Sequence, residues 1–125
     1  MPNFSRKKFV SHIITPFLEQ ELQAAVPSSA VHDAILKGMY DKACTYISNP
    51  DHISLAPGNK DARMIKSHRC NRPHFVAPGR GKGQFVCDST CPSFLAHKMC
   101  SHCIVAAHST SQLHMYLNFL RNSKS

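Results

Sequence analysis

Phe9, Ile13, Ile14, Phe17, Leu18, Leu22 and Val26 recur at the intervals that line one face of a helix. Thr15 and Pro16 suit the first turn of that helix, where a missing N–H costs nothing. Pro27-Ser28-Ser29 breaks the pattern, and Ser28 or Ser29 offers a cap for a second helix. Val31, Ile35, Met39, Ala43 and Ile47 then return every fourth residue, with Leu36 and Tyr40 beside them, until Asn49-Pro50 ends the stripe. Residues 1–50 are therefore expected to form two amphipathic helices that pack together rather than hold a ligand.

The helical period stops at Asp51. Pro57-Gly58-Asn59 and the run Ala77-Pro78-Gly79-Arg80-Gly81-Lys82-Gly83 are turn signals. Residues 51–72 read as a basic linker with one short strand at Ala62-Arg63-Met64-Ile65-Lys66. Pro73 to Ala77 and Gly83 to Cys87 flank the glycine-rich run and read as a β-hairpin. Its glycines lack the order of a phosphate-cradling loop, and no Lys-Ser/Thr follows them. A helix begins after Cys100, and Thr110 or Ser111 caps a last one bearing Leu113, Leu117 and Leu120. The expected fold is α+β: two amphipathic helices, a small ββα finger over residues 73–123, and a short trailing helix.

The 125 residues allow one ordinary domain, or a small domain with an added segment. No run approaches the roughly 18 apolar residues of a membrane helix. Arg6, Lys7 and Lys8 precede an apolar run, but Ser11, His12, Pro16 and Glu19 break it and no small-residue cleavage site follows, so no signal peptide is expected. A nuclear or cytoplasmic setting is expected, without secretion or a membrane partner. The formal charge is +8, and it is uneven. Residues 1–59 balance five basic against five acidic side chains, whereas residues 60–82 carry seven basic side chains against Asp61 alone. Such a stretch attracts polyanions, nucleic acid first. Arg69, Arg72, Arg80 and Lys82 are its candidate contacts.

Four of the six cysteines fall within seventeen residues: Cys87, Cys91, Cys100 and Cys103, with His97 and His102 among them. Two close pairs separated by an eight-residue loop supply the tetrahedron of soft donors that Zn²⁺ takes, at about 2.3 Å to sulfur and 2.0–2.1 Å to imidazole nitrogen. A disulfide framework would need an oxidising compartment that nothing else in the sequence suggests. Residues i and i+3 share a helix face, which favours Cys103 as the fourth ligand. His102 becomes available instead if Cys100 lies just before the helix in non-helical geometry. The spacing leaves both open. Either set closes the site, so the zinc is expected to be single and structural.

Cys-x3-Cys-Pro, the eight-residue loop, then Cys-x-His followed by Ile104-Val105-Ala106-Ala107 resembles the SWIM-type zinc finger. Ser54-Leu55-Ala56-Pro57-Gly58, Ala62-Arg63-Met64 and Arg72-Pro73-His74 are similar to the lead-in of such fingers in transposase-derived animal proteins, so the resemblance spans about residues 50–123. It implies a ββα module with Cys87, Cys91, Cys100 and His102 as ligands and Cys103 outside the set. The family's commonest form has one residue between its first two cysteines, where this chain has three. SWIM fingers occur in Mutator-type transposases and regulators derived from them, in a MAP kinase kinase kinase and in recombination-associated proteins, and bind DNA or protein.

The leading expectation is a zinc-binding module that contacts nucleic acid weakly and with little sequence preference. A protein–protein adaptor is the alternative, as is a truncated, non-catalytic piece of a transposon-derived protein. An enzyme is not expected, nor a catalytic residue or a small-molecule substrate. The seven carboxylates include no metal-binding pair, and zinc held by four protein ligands does not activate water.

Overall fold

The computed structural model of the chain describes residues 19–66 and 72–122. Phe9, Ile13, Ile14, Thr15, Pro16, Phe17 and Leu18 of the first stripe lie outside those residues, as do Arg69 and Cys70. Residues 19–25 are helical (α1), and Leu22, Ala25 and Val26 are buried. Pro27 then accepts from Ala30 and Val31 N–H in a turn, so the second helix starts later than Ser28 or Ser29 would set it. This helix, α2, spans Asp33–Ser48 and is capped by His32, whose Nδ1 accepts from Ala34 N–H. It buries Leu36, Met39, Tyr40, Ala43 and Tyr46. The stripe is thus rotated from the expected one: Ile35 is exposed and the two tyrosines face inward.

A 3₁₀ turn at Pro50–His52 leads into strands β1 (Ile53–Ala56) and β2 (Asn59–Ile65), joined through Pro57-Gly58. Strands β3 (His74–Pro78) and β4 (Phe85–Cys87) form the expected hairpin. The four strands make one antiparallel sheet in the order β1-β2-β3-β4, so the two-stranded finger is extended by a second hairpin where a linker was expected. A short helix α3 (Pro92–His97) fills the loop between the cysteine pairs, and α4 (Ser101–Ser109) and α5 (Leu113–Asn122) complete the chain. Thr110 does not start α5. Its hydroxyl donates to Ala106 O at 2.9 Å and closes α4.

The core is built around α4, whose residues Ser101 through Ala107 are all buried. A helix apolar on every side needs cover on every side. Strands β2, β3 and β4 provide it with Ile65, Val76 and Phe85, and α2 provides it with its own buried face. Each such aliphatic or aromatic side chain contributes about 1.5–3 kcal/mol on burial. One apolar cluster therefore runs from Leu22 to Leu117, and the helical segment and the finger share it. At the hairpin tip, Gly83 has φ +83° and a side chain there would strike the Met115 carbonyl, so the loop seats directly on the α5 backbone.

Candidate metal centre

Each donor reaches the centre from the end of an element. Cys87 closes β4, Cys91 is the residue before α3, Cys100 is the residue before α4, and His102 lies in the first turn of α4. Lys98 ends α3 in left-handed geometry (φ 59°), and Cys100 then takes an extended backbone, φ −160° and ψ 172°. On a continuous helix, residues 100 and 102 would point nearly opposite ways. The extended Cys100 removes that conflict, and its Sγ lies 3.6 Å from His102 Nδ1.

Cys91 Sγ is also 3.6 Å from Nδ1, and Cys87 Sγ is 3.8 Å from it. All four donor atoms fall within 4.8 Å of one another, and the residues are buried. A tetrahedral ion bonded at about 2.3 Å to sulfur and 2.0–2.1 Å to nitrogen would set its donors about 3.5–3.6 Å apart for N···S. The Cys91 and Cys100 separations match that figure, and Cys87, at 3.8 Å, lies slightly beyond it. This Cys₃His cluster is a candidate site for a single metal ion.

Cys103 sits differently. Its Sγ lies 3.8 Å from Cys100 Sγ, but its S–H donates to Phe85 O at 3.5 Å and it does not join the converging set. The thiol ranking follows these contacts. Hydrogen bonding with Cys103, then with Cys87 and Cys91, pushes the Cys100 thiol far down. Hydrogen bonding to Cys100, and then burial, pushes Cys103 up. At His102, burial opposes the imidazolium, yet hydrogen bonds to Cys100 and Cys91 outweigh it and raise the pKa to about 9.

Three residues that sequence reasoning did not single out as functional, Asp88, His74 and Tyr46, hold the donors in place. Asp88, between Cys87 and Cys91, accepts from Phe75 N–H (3.0 Å), Thr90 Oγ1 (2.8 Å) and Thr90 N–H (3.3 Å), and bonds His74 Nδ1 at 3.0 Å. It fixes the turn carrying both cysteines and clamps it to β3. The His74 ring in turn stacks on His102 at 4.2 Å between centroids. Asp88-Ser89-Thr90 is a turn-forming sequence, the one local signal that pointed here. Tyr46 of α2 also packs on the His102 ring, 5.8 Å between centroids, and had no local signal. Partners of this kind change metal affinity by about 10–100-fold. Asp88→Ala is expected to weaken metal binding by about tenfold or more in a chelator competition titration.

The candidate nucleic-acid contacts do not converge. Arg72 is exposed just before β3, at the end of the sheet near Cys87, whereas Arg80 and Lys82 are exposed at the opposite tip of the hairpin. Arg69 lies outside the described residues. No helix among the described residues is long and apolar enough to cross a membrane. No family model matches the chain, and neither a curated protein nor a solved structure is significantly similar to it.

Proposed function

We propose that the chain is a zinc-ordered binding module of the SWIM type, in which Cys87, Cys91, Cys100 and His102 hold one structural Zn²⁺ and the basic surface engages nucleic acid. The observation that carries the zinc reading is the agreement between the Sγ···Nδ1 separations of 3.6–3.8 Å and the edges of a tetrahedral zinc site. The placement of Cys100 just before a buried apolar helix, with His102 in its first turn, supports the SWIM type. Four protein donors leave no position for a reactive water, so the ion would order the fold and the module would be non-enzymatic. The +8 charge supports a polyanionic partner and, with it, a nuclear or cytoplasmic setting.

Metal content of protein purified without added zinc, with thiol titration alongside, tests the first part: one zinc per chain is expected, and a disulfide at these positions would refute it. For the second part, with about four cations meeting phosphates, log affinity should fall against log salt with a slope of about −3 to −4. Affinity should lie at roughly 1–100 μM at physiological salt. Changing Arg69, Arg72, Arg80 and Lys82 together to Gln should weaken binding and flatten that slope while zinc content stays constant. Salt-independent association, or none at low salt, would favour the protein-adaptor reading.

A further inference from the structure

Of the four clustered cysteines, Cys103 is the one that the converging donor set leaves unused. Its Sγ lies 3.8 Å from Cys100 Sγ, near van der Waals contact. Both residues stand at the start of one element, Cys100 extended just before α4 and Cys103 in its first turn. Ser101 and His102 alone separate them along the chain, so joining the sulfurs closes a very short loop. A disulfide is about 2.03–2.05 Å long, which asks the two sulfurs to approach by about 1.8 Å. Cys87 and Cys91 also lie within 4.8 Å of the Cys100 sulfur, but with zinc bound their sulfurs are committed to the ion. The Cys103 sulfur is not. Cys100 and Cys103 are both fully buried, so an oxidant that reaches them must be small and uncharged.

We propose that Cys100 and Cys103 form a redox switch, in which hydrogen peroxide joins them in a disulfide and zinc is released. The inference rests on the zinc reading above and adds how the metal is given up. The Cys100 sulfur attacks one peroxide oxygen and the O–O bond breaks, leaving a sulfenic acid and hydroxide. The Cys103 sulfur then attacks the Cys100 sulfur, the S–O bond breaks, and a second hydroxide departs. The sulfur pair loses two electrons and the peroxide gains them. One hydroxide leaves as water with the Cys103 proton, and the other takes a proton from solvent. Only a thiolate sulfur ligates zinc, so the ion loses a donor and the finger that it orders opens. Small-molecule thiols can then reach the disulfide, reduce it and restore the site.

The test treats the reduced, zinc-loaded full chain with hydrogen peroxide, and in parallel with oxidised glutathione. Released zinc is read with a chromophoric chelator, free thiols are titrated, and the disulfide is located by peptide mass mapping. Peroxide should release one zinc with the loss of two thiols, mapped to Cys100 and Cys103. Dithiothreitol with added zinc should restore both, and oxidised glutathione should act at least about tenfold more slowly on the loaded protein. In Cys103→Ser, which should still bind zinc, excess peroxide should carry Cys100 to the sulfinic acid, and dithiothreitol should then fail to restore the site. A disulfide between two of the ligand cysteines, identical products and recovery in Cys103→Ser, or equally fast release by oxidised glutathione would overturn the switch. Zinc and thiols retained through excess peroxide would overturn it as well and leave the zinc reading standing. A fully reduced chain that binds no zinc would overturn both.

Discussion

Chelation of the metal is expected to unfold the finger and to take α2 with it. The cluster ties together the end of β4 and the starts of α3 and α4, and no preformed cage exists in an unfolded chain, so metal binding energy becomes folding energy. For structural zinc this is about 10–16 kcal/mol at neutral pH. Small domains are stable by only about 5–15 kcal/mol in total. The apolar stripe of α2 suggested a helical segment independent of the cluster. Instead α2 packs on α4, and its Tyr46 lies against His102, so losing the centre removes the surface on which α2 rests. Amide exchange measured with and without excess chelator should therefore show protection lost in α2, the strands and α4 together. Protection that survives in α2 alone would mean that the two parts are energetically separate.

Among single substitutions, Cys87→Ser, Cys91→Ser, Cys100→Ser and His102→Ala should each abolish tight zinc binding, whereas Cys103→Ser should keep it. The serine can still donate to the Phe85 carbonyl, and the expected cost to stability is about 1–2 kcal/mol. Cobalt bound to the unaltered protein should give the visible spectrum of three thiolates and one nitrogen. Retention of metal by His102→Ala together with its loss in Cys103→Ser would reverse the assignment, and cobalt would then report four thiolates. The 3.8 Å gap between Cys100 and Cys103 is what makes this control necessary.

The parts of the molecule legible in its sequence are the parts set by short-range chemistry. Glycine and proline mark the β3–β4 hairpin, and the cysteine spacing marks the cluster, because each depends on residues close along the chain. What stayed hidden depends on partners far away. The strand β1 is short and half exposed, with no alternation to reveal it, and it exists because β2 pairs with it. The rotation of α2 reflects what α4 and the His102 ring accept against them, which the stripe of Val31, Ile35, Met39, Ala43 and Ile47 cannot encode. That His102 rather than Cys103 converges with the other three donors follows from one backbone conformation, at Cys100, that spacing alone does not determine.

The strand lengths of the meander bear on solubility. Interior strands β2 and β3 run for seven and five residues, while the outer strands β1 and β4 have only four and three. The ladder of β1 is also broken by an irregularity between Leu55 and Ala56, and β4 ends at Cys87, inside the cluster. Short or bulged margins offer a foreign strand too few consecutive hydrogen-bonding groups to template on. The sheet can thus leave Phe75 and Val86 exposed without inviting edge-to-edge growth into aggregates.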